Sequence, residues 1–154
     1  IGVETSSDEA IVQRYTPLGG AHPTDEALVI ACQWCLHATA DWEVAQHPPA
    51  GVRVVHVPCS GRVTPLFLTT ALQRGYRSVL VVGCRDEECH YQHGNALERG
   101  RAETIRGLLE LLGLEPERVR FAWVGAMDRG LFPALVHELA AEAQALAPLA
   151  WGEL

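Results

Sequence analysis

Four short apolar runs, separated by segments of helical periodicity, constrain the fold of this chain more than any other feature. The runs cover residues 27–31, 52–57, 78–83 and 119–124, and each is rich in valine, alanine, leucine or isoleucine. Strands that alternate with helices are typical of βαβ units, which join parallel strands by right-handed crossovers. The sequence therefore predicts an α/β fold: a four-stranded parallel sheet flanked by helices, in a flavodoxin-like or Rossmann-like three-layer arrangement.

The patterns also predict where some elements lie. Polar residues interrupt the run at 52–57, which suits an edge strand, whereas the run at 78–83 has an unbroken apolar middle and suits the centre of the sheet. Helices are predicted over residues 63–73, along the apolar stripe at 105–112, and along the stripe at 132–143.

Residues 1–26 carry turn formers and no sustained periodicity. We therefore predict an N-terminal arm or linker over 1–26, followed by one domain over 27–154. At 154 residues, the chain is long enough to bury a core without help from disulfides.

All of the cysteines follow the end of an apolar run. The carboxyl ends of parallel strands meet at one edge of a sheet, which is where α/β domains bind their ligands. We therefore expect these thiols to converge, and sulfur gathered in this way indicates a metal or redox centre. The candidate ligands are Cys32, Cys35, Cys59, Cys84 and Cys89.

The spacing of the cysteines leaves three interpretations open. Four thiolates around two irons form a [2Fe–2S] cluster, which is the interpretation we favour for a C-x-x-C motif (32–35) combined with a C-x4-C motif (84–89). A zinc-stabilised protein-docking module uses similar spacing, with His90 or His93 as a further ligand. A dithiol–disulfide oxidoreductase would use Cys32 and Cys35 alone.

Residues directly after Cys59 are candidates for contact with the cofactor. We expect Ser60, Gly61 and Arg62 to begin a helix, so that their backbone N–H groups and the helix dipole face the crevice and favour an anionic cluster. The Arg62 side chain would raise the reduction potential of such a cluster, or else lie in solvent with its stem packed on the helix.

Composition excludes several other classes of function. The formal net charge of −7 disfavours nucleic acid and anionic membrane surfaces as partners. No apolar stretch reaches the ~20 residues that span a bilayer, so no membrane insertion is expected. The first 26 residues lack the order of a signal peptide, and 5 cysteines are an odd number, which argues against a secreted disulfide framework and predicts a cytoplasmic protein.

The three cysteine motifs, in their order, resemble a known family. Cys32-Gln-Trp-Cys35 is followed by Pro58-Cys-Ser-Gly-Arg-Val63 and then by the segment from Val82 to Asn95, which contains Gly-Cys-Arg-Asp-Glu-Glu-Cys-His. This pattern is similar to the delta subunit of methyl-viologen-reducing hydrogenase, the MvhD/FlpD family, over about residues 28–146. One departure is the charged loop 85–88, where the family carries small residues and glycine.

The resemblance implies an iron–sulfur electron-transfer subunit with one [2Fe–2S] cluster and no bond-making chemistry of its own. In the family, this subunit links a hydrogenase or formate dehydrogenase to the flavoprotein of a heterodisulfide-reductase-type complex, so protein subunits of a redox complex are the expected partners. All five cysteines carry over. We favour the two local pairs as the four ligands, because short loops hold paired thiolates at little ordering cost; Cys59 is then the alternate.

Overall fold

The computed structural model describes residues 7–15, 26–39 and 41–149. Within these ranges, one sheet contains β1 (Ala27–Cys32), β2 (Val52–Val57), β3 (Ser78–Cys84) and β4 (Val119–Val124), in the order β2-β1-β3-β4. All neighbouring strands are parallel. The predicted four-stranded parallel sheet is confirmed, with β2 at an edge and β3 inside the sheet.

Helices connect and cover these strands. The α-helices are α1 (Asp8–Tyr15), α2 (Gln33–Thr39), α3 (Trp42–Gln46), α4 (Pro65–Gln73), α5 (Gly94–Leu111) and α6 (Leu131–Ala145), and short 3-10 helices cover Ser60–Arg62 and Pro116–Arg118. None of the helices in the described ranges is both long enough and apolar enough to cross a lipid bilayer.

The two faces of the sheet have separate apolar cores, which makes the domain three-layered. On one face, Leu28 and Ile30 pack with Phe67 of α4 and Ile105 of α5. On the other, Val29 and Leu80 pack with α6, which contributes Phe132, Val136, Leu139 and Ala143. The α/β three-layer prediction is therefore confirmed.

Part of the segment predicted as an arm or linker is helical. Helix α1 places Ile11 in the core beside α4, fully buried. The rest of residues 1–26, apart from Ser7 and Glu26, lies outside the described residues, so the domain boundary at residue 27 stays a prediction.

The start of α4 differs from the prediction over 63–73. Val63 and Thr64 are extended, and the helix begins at Pro65. The cause is local: proline disfavours the helical conformation of the residue before it, while its own fixed φ suits the first position of a helix. The expected helix at Ser60–Arg62 is therefore a short 3-10 helix that is separate from α4.

Candidate metal centre

Three thiols meet at the carboxyl ends of the two inner strands. The Sγ atom of Cys84 lies 3.7 Å from that of Cys32 and 3.2 Å from that of Cys35. All three sulfur atoms lie within 4.8 Å of one another, and all three residues are buried. We call this group the three-cysteine cluster. Convergence of separate motifs, the central expectation from the sequence, is what the structure shows for these residues.

The fold explains why these sulfur atoms meet. Cys32 ends β1 and Cys84 ends β3, and the two strands pair in register up to Ala31 and Val82. Cys35 follows in the first turn of α2, which places it next to its strand-end partners. The Asn95 side-chain amide donates hydrogen bonds to the carbonyl oxygens of Cys84 (3.2 Å) and Arg85 (3.0 Å), and so fixes the end of β3 to the start of α5.

The remaining two cysteines lie beside the start of α5. The Sγ atom of Cys59 lies so close to the backbone of Gly94 that a Cβ atom there would overlap it, and the same Cβ would stand 3.4 Å from Sγ of Cys89. Cys89 also packs against the three-cysteine cluster. The structure thus groups three of the four cysteines preferred from sequence, and it places Cys89 near Cys59 as well as near that group.

The charged loop between Cys84 and Gly94 is held by ion pairs and by unusual backbone angles. Glu87 and Gln92 have φ of 64° and 69°, in the left-handed region that few non-glycine residues adopt. Arg85 pairs with Asp128 at 2.7 Å, and the Glu88 carboxylate accepts a hydrogen bond from the backbone N–H of Ala126 at 2.7 Å. The acidic and basic residues of this loop therefore join it to the loop after β4.

Trp34 covers the three-cysteine cluster. Its ring packs against the cluster and stacks on the ring of His90, with centroids 3.7 Å apart and planes 16° from parallel. Large aromatic rings exclude water over a wide area. The contacts fit a lid that shields the sulfur atoms from solvent.

The pKa values of the clustered thiols indicate that they do not all ionise together unless a cation is bound. Hydrogen bonds from Cys35 and Cys84 lower the pKa of Cys32 to about 3. The same contact with Cys32 raises the pKa of Cys35, and it raises the pKa of Cys84 to about 12. Burial raises the pKa of Cys59 to about 11. One thiolate is readily formed, and further thiolates require a positive charge such as a metal ion supplies.

The residues expected to contact a cofactor behave differently from one another. Arg62 turns outward to pair with Asp8 at 2.6 Å, and its side chain is 42% exposed. The Gly61 N–H faces Cys59 and favours its thiolate by lowering the pKa, as expected for a backbone donor. Ser60 is buried. Contact of these residues with a cofactor stays a prediction.

Sequence reasoning missed Glu98, an acid buried close to the cysteines. A signal was present: Glu98 falls on the buried stripe of α5 with Ala102, Ile105 and Leu109. A carboxyl group on the apolar face of an amphipathic helix is unusual enough to be noticed.

The fold and these side chains define an α/β domain with a sulfur-lined site at the carboxyl edge of its sheet. Comparison with known families is consistent with this. Residues 27–147 match the family described as methyl-viologen-reducing hydrogenase, delta subunit. The chain belongs to this family, as the cysteine motifs predicted.

Individual relatives are of two kinds, and the first is short. The chain is 41% identical to the iron-sulfur subunit of the F420-non-reducing hydrogenase of Archaeoglobus profundus over 122 residues, which is 77% of this chain and 88% of the relative. It is also 41% identical to the iron-sulfur subunit of the vhu F420-non-reducing hydrogenase of Methanopyrus kandleri over 102 residues, 66% of this chain and 77% of the relative.

The second kind is much longer. In Methanosarcina mazei, one polypeptide of the ferredoxin:CoB-CoM heterodisulfide reductase is 35% identical to the chain over 133 residues. This match covers 84% of the chain but only 17% of that polypeptide. The same domain therefore occurs either as most of a small protein or as a minor part of a large one.

Proposed function

We propose that this domain holds an iron–sulfur centre, a [2Fe–2S] cluster, and acts as an electron-transfer subunit of an oxidoreductase complex. The observation that carries the proposal is the meeting of Cys32, Cys35 and Cys84 within 4.8 Å. Two thiolates on one tetrahedral metal, with metal–sulfur bonds of about 2.3 Å, stand roughly 3.8 Å apart. The 3.7 Å between Cys32 and Cys84 is close to that spacing and the 3.2 Å between Cys35 and Cys84 is shorter, so the distances support a thiolate-bound metal without selecting its kind. A [2Fe–2S] centre supplies one-electron chemistry.

The donor set fits such a centre. Thiolates are the ligands that iron–sulfur clusters select. For the fourth ligand we propose Cys89, because it packs against the three-cysteine cluster and is itself only partly buried. Cys59 is the alternate, and five sulfur donors exceed the four that two irons require. Ser60, Gly61 and Arg62 are proposed to border the cofactor, with the Gly61 N–H directed at the Cys59 sulfur.

The contacts speak against the dithiol alternative. The sulfur of Cys35 has Cys84 as its neighbour at 3.2 Å, so the C-x-x-C pair does not stand apart as an isolated dithiol. A zinc-stabilised docking module remains an outcome that metal analysis would reveal.

The names of relatives support the choice of partners. Because relatives are called subunits of hydrogenase and of heterodisulfide reductase, we propose that this domain passes electrons between a hydrogenase or formate dehydrogenase and a heterodisulfide-reductase-type flavoprotein, in the cytoplasm. The protein chain itself would bind and shield the centre, with Trp34 over it, and would make or break no substrate bonds.

Metal and sulfide analysis of anaerobically purified protein tests this function. We expect brown protein with two irons and two acid-labile sulfides per chain, as the [2Fe–2S] assignment requires, and an electron paramagnetic resonance signal after reduction. Cys84→Ser should lose most of the iron, and Cys89→Ser should lose more than Cys59→Ser does. Colourless protein containing zinc would instead establish the docking module, and metal-free protein would end both proposals.

A further inference from the structure

Glu98 is a buried acid beside the residues that flank two of the cysteines. It lies on α5, and it is 1% exposed. Its carboxyl group lies on the backbone of Gly83 in β3, so close that a Cβ atom on Gly83 would overlap it, and the Ser60 hydroxyl borders the same point. Because Ser60 follows Cys59 and Gly83 precedes Cys84 in the chain, the acid lies beside the neighbours of two of the cysteines.

The surroundings leave this carboxyl group poorly satisfied. Neither of its oxygens has a hydrogen-bonding partner of ordinary geometry among the described residues, and the indole nitrogen of Trp123 is also buried without one. A buried carboxylate without partners costs several kcal/mol. The geometry therefore favours the neutral acid, and a group of this kind near a redox site is a candidate for function.

The charged and polar groups around Glu98 can be named for each element that packs on it. Burial is the main cause that raises its pKa to about 8, and the charge of Cys32 at the end of β1 raises it further. Hydrogen bonding from Ser60 of the 3-10 turn and Trp123 of β4, and the charge of Arg99 of α5, act in the opposite direction and lower the pKa, but burial outweighs them. From β3, the backbone of Gly83 faces the carboxyl group.

The cation that favours an ionised Glu98 is already shared. Arg99 pairs with Asp86 at 2.7 Å, and its guanidinium stands 4.8 Å from the centroid of the Trp123 ring. The Arg101 guanidinium on the same helix donates hydrogen bonds to the carbonyl oxygens of Gly61 and Val63. Neither arginine therefore removes the tendency of Glu98 to hold a proton.

We propose that, in alkaline solution, Glu98 is the proton acceptor that accompanies reduction of the iron–sulfur centre, so that the domain there carries one electron and one proton together. This inference rests on the proposed function. The electron comes from the donor protein or, in vitro, from a one-electron reductant such as dithionite, and the proton comes from water. At pH values above the pKa of Glu98, about 8, reduction converts Glu98 from carboxylate to carboxylic acid. On oxidation by the acceptor, the electron leaves the centre and the proton leaves Glu98.

The physical reason is the sign of the added charge. Reduction places one more negative charge beside the cysteines, and negative charge at Cys32 already raises the pKa of Glu98 and favours its protonated form. Where the oxidised protein has an ionised Glu98 and the reduced protein has a protonated one, reduction becomes easier as the proton concentration rises. Glu98 thus takes up and releases the proton, and it neither binds the metal nor takes part in substrate chemistry.

The test is the midpoint potential of the full anaerobic protein as a function of pH. Wild type should have a potential that is constant in mildly acidic buffer and that falls at alkaline pH, from the pKa of about 8 upward. In the limit, the equilibrium constant of reduction changes tenfold per pH unit, which for one electron shifts the midpoint potential by about 59 mV per pH unit. Glu98→Gln mimics the neutral acid, so its potential should match wild type at low pH and stay flat at high pH.

A matched control lies on the same helix. Glu103 is exposed on α5, and Glu103→Gln should keep the wild-type slope. A flat potential in iron-loaded wild type, or a wild-type slope in Glu98→Gln, would overturn the inference and leave the proposed function standing. Absence of iron and sulfide in wild type would instead overturn the proposed function, and the inference with it.

A second measurement covers the case in which Glu98→Gln does not fold. Reduced-minus-oxidised infrared spectra of wild type at a pH of about 9, one unit above the raised pKa of Glu98, should gain a protonated carboxyl band and lose a carboxylate band. Spectra without a protonated carboxyl band would contradict the assignment without any need for a variant.

Discussion

Arg118 and Glu98 are both buried almost completely, but they lie at opposite edges of the sheet and are satisfied to very different degrees. Arg118 is 2% exposed and stands directly before β4; its Nε donates to the Glu115 carboxylate at 2.7 Å and its Nη1 to the Arg77 carbonyl at 3.1 Å. Glu98, near the carboxyl end of β3, has no partner of ordinary geometry among the described residues.

The difference separates a structural role from a functional one. At the amino edge of the sheet, the buried Arg118 joins the starts of β3 and β4 through its bonds to Glu115 and to the Arg77 carbonyl. Buried charges are stable in proteins when they are paired and hydrogen-bonded in this way. At the carboxyl edge, the buried Glu98 carboxyl group has no hydrogen bond of ordinary geometry among the described residues, at a cost in stability. Unfavourable burial of a titratable group is found most often at functional sites.

The largest effect that would sharpen this comparison is the pH dependence of stability. The folded-state pKa of Glu98 is raised to about 8, so the folded protein binds this proton more tightly than the unfolded chain does. The stabilisation is fully present below the unfolded pKa of about 4.3 and is lost as pH rises through the folded pKa, a loss on the order of 5 kcal/mol. Glu98→Gln should remove this pH dependence.

Thermal unfolding of wild type and Glu98→Gln, in the same loading state and at pH values of about 5 and about 9 on either side of the raised pKa, measures this. We expect near-equal stability in the acidic buffer and a more stable variant in the alkaline one. Parallel pH profiles for the two proteins would mean that Glu98 is as well satisfied as Arg118, and the contrast between the two edges would disappear.

The second effect concerns Arg118. Arg118→Ala removes a large buried side chain and leaves the Arg77 carbonyl without its donor, for which we expect a loss of about 3 kcal/mol in the free energy of unfolding. Arg118→Met retains most of the packing and should lose about 1 kcal/mol, because buried ion pairs add little beyond well-packed apolar groups.

Denaturant unfolding of the two variants gives these values, while the iron content should stay at the wild-type level in both. Loss of iron in either variant would show that the amino edge supports the site after all, which the comparison does not allow.

Sequence patterns were sufficient for the sheet and for the convergence of thiols, for an identifiable reason. Strand alternation fixes which ends of β1 and β3 share an edge, and Cys32 and Cys84 stand at those ends whatever the details of the loops. The details were not predictable in the same way. Pro65 disfavours a helical conformation of Thr64, so α4 begins at Pro65 and Ser60 lies in a separate 3-10 turn.

Features that depend on packing between distant segments were out of reach of sequence patterns. The side chain of Glu98 fits only because Gly83, on a different element, has no side chain. Ile11 is buried only because α1 packs beside α4. The position of Cys89, near both Cys59 and the three-cysteine cluster, depends on a loop with two residues at positive φ, for which charged residues give no sequence signal.

The smallest effect compares two glycines on α5. Gly94 is buried, and a Cβ atom there would overlap the Cys59 sulfur, whereas Gly100 has open space around its Cα. Gly94→Ala should therefore cost about 2 kcal/mol and displace Cys59 from its position, because overpacking destabilises a dense interior. Gly100→Ala should stabilise the helix by about 0.5–1 kcal/mol, because glycine is a poor helix former.

Opposite signs for the same substitution on one helix identify what is special at the carboxyl edge. Iron content separates sulfur displacement from a general loss of stability: if Cys59 is the spare fifth thiol, Gly94→Ala keeps its iron at a temperature where it is still folded. If Cys59 is a ligand, the folded variant loses iron, and the fourth place in the donor set passes from Cys89 to Cys59.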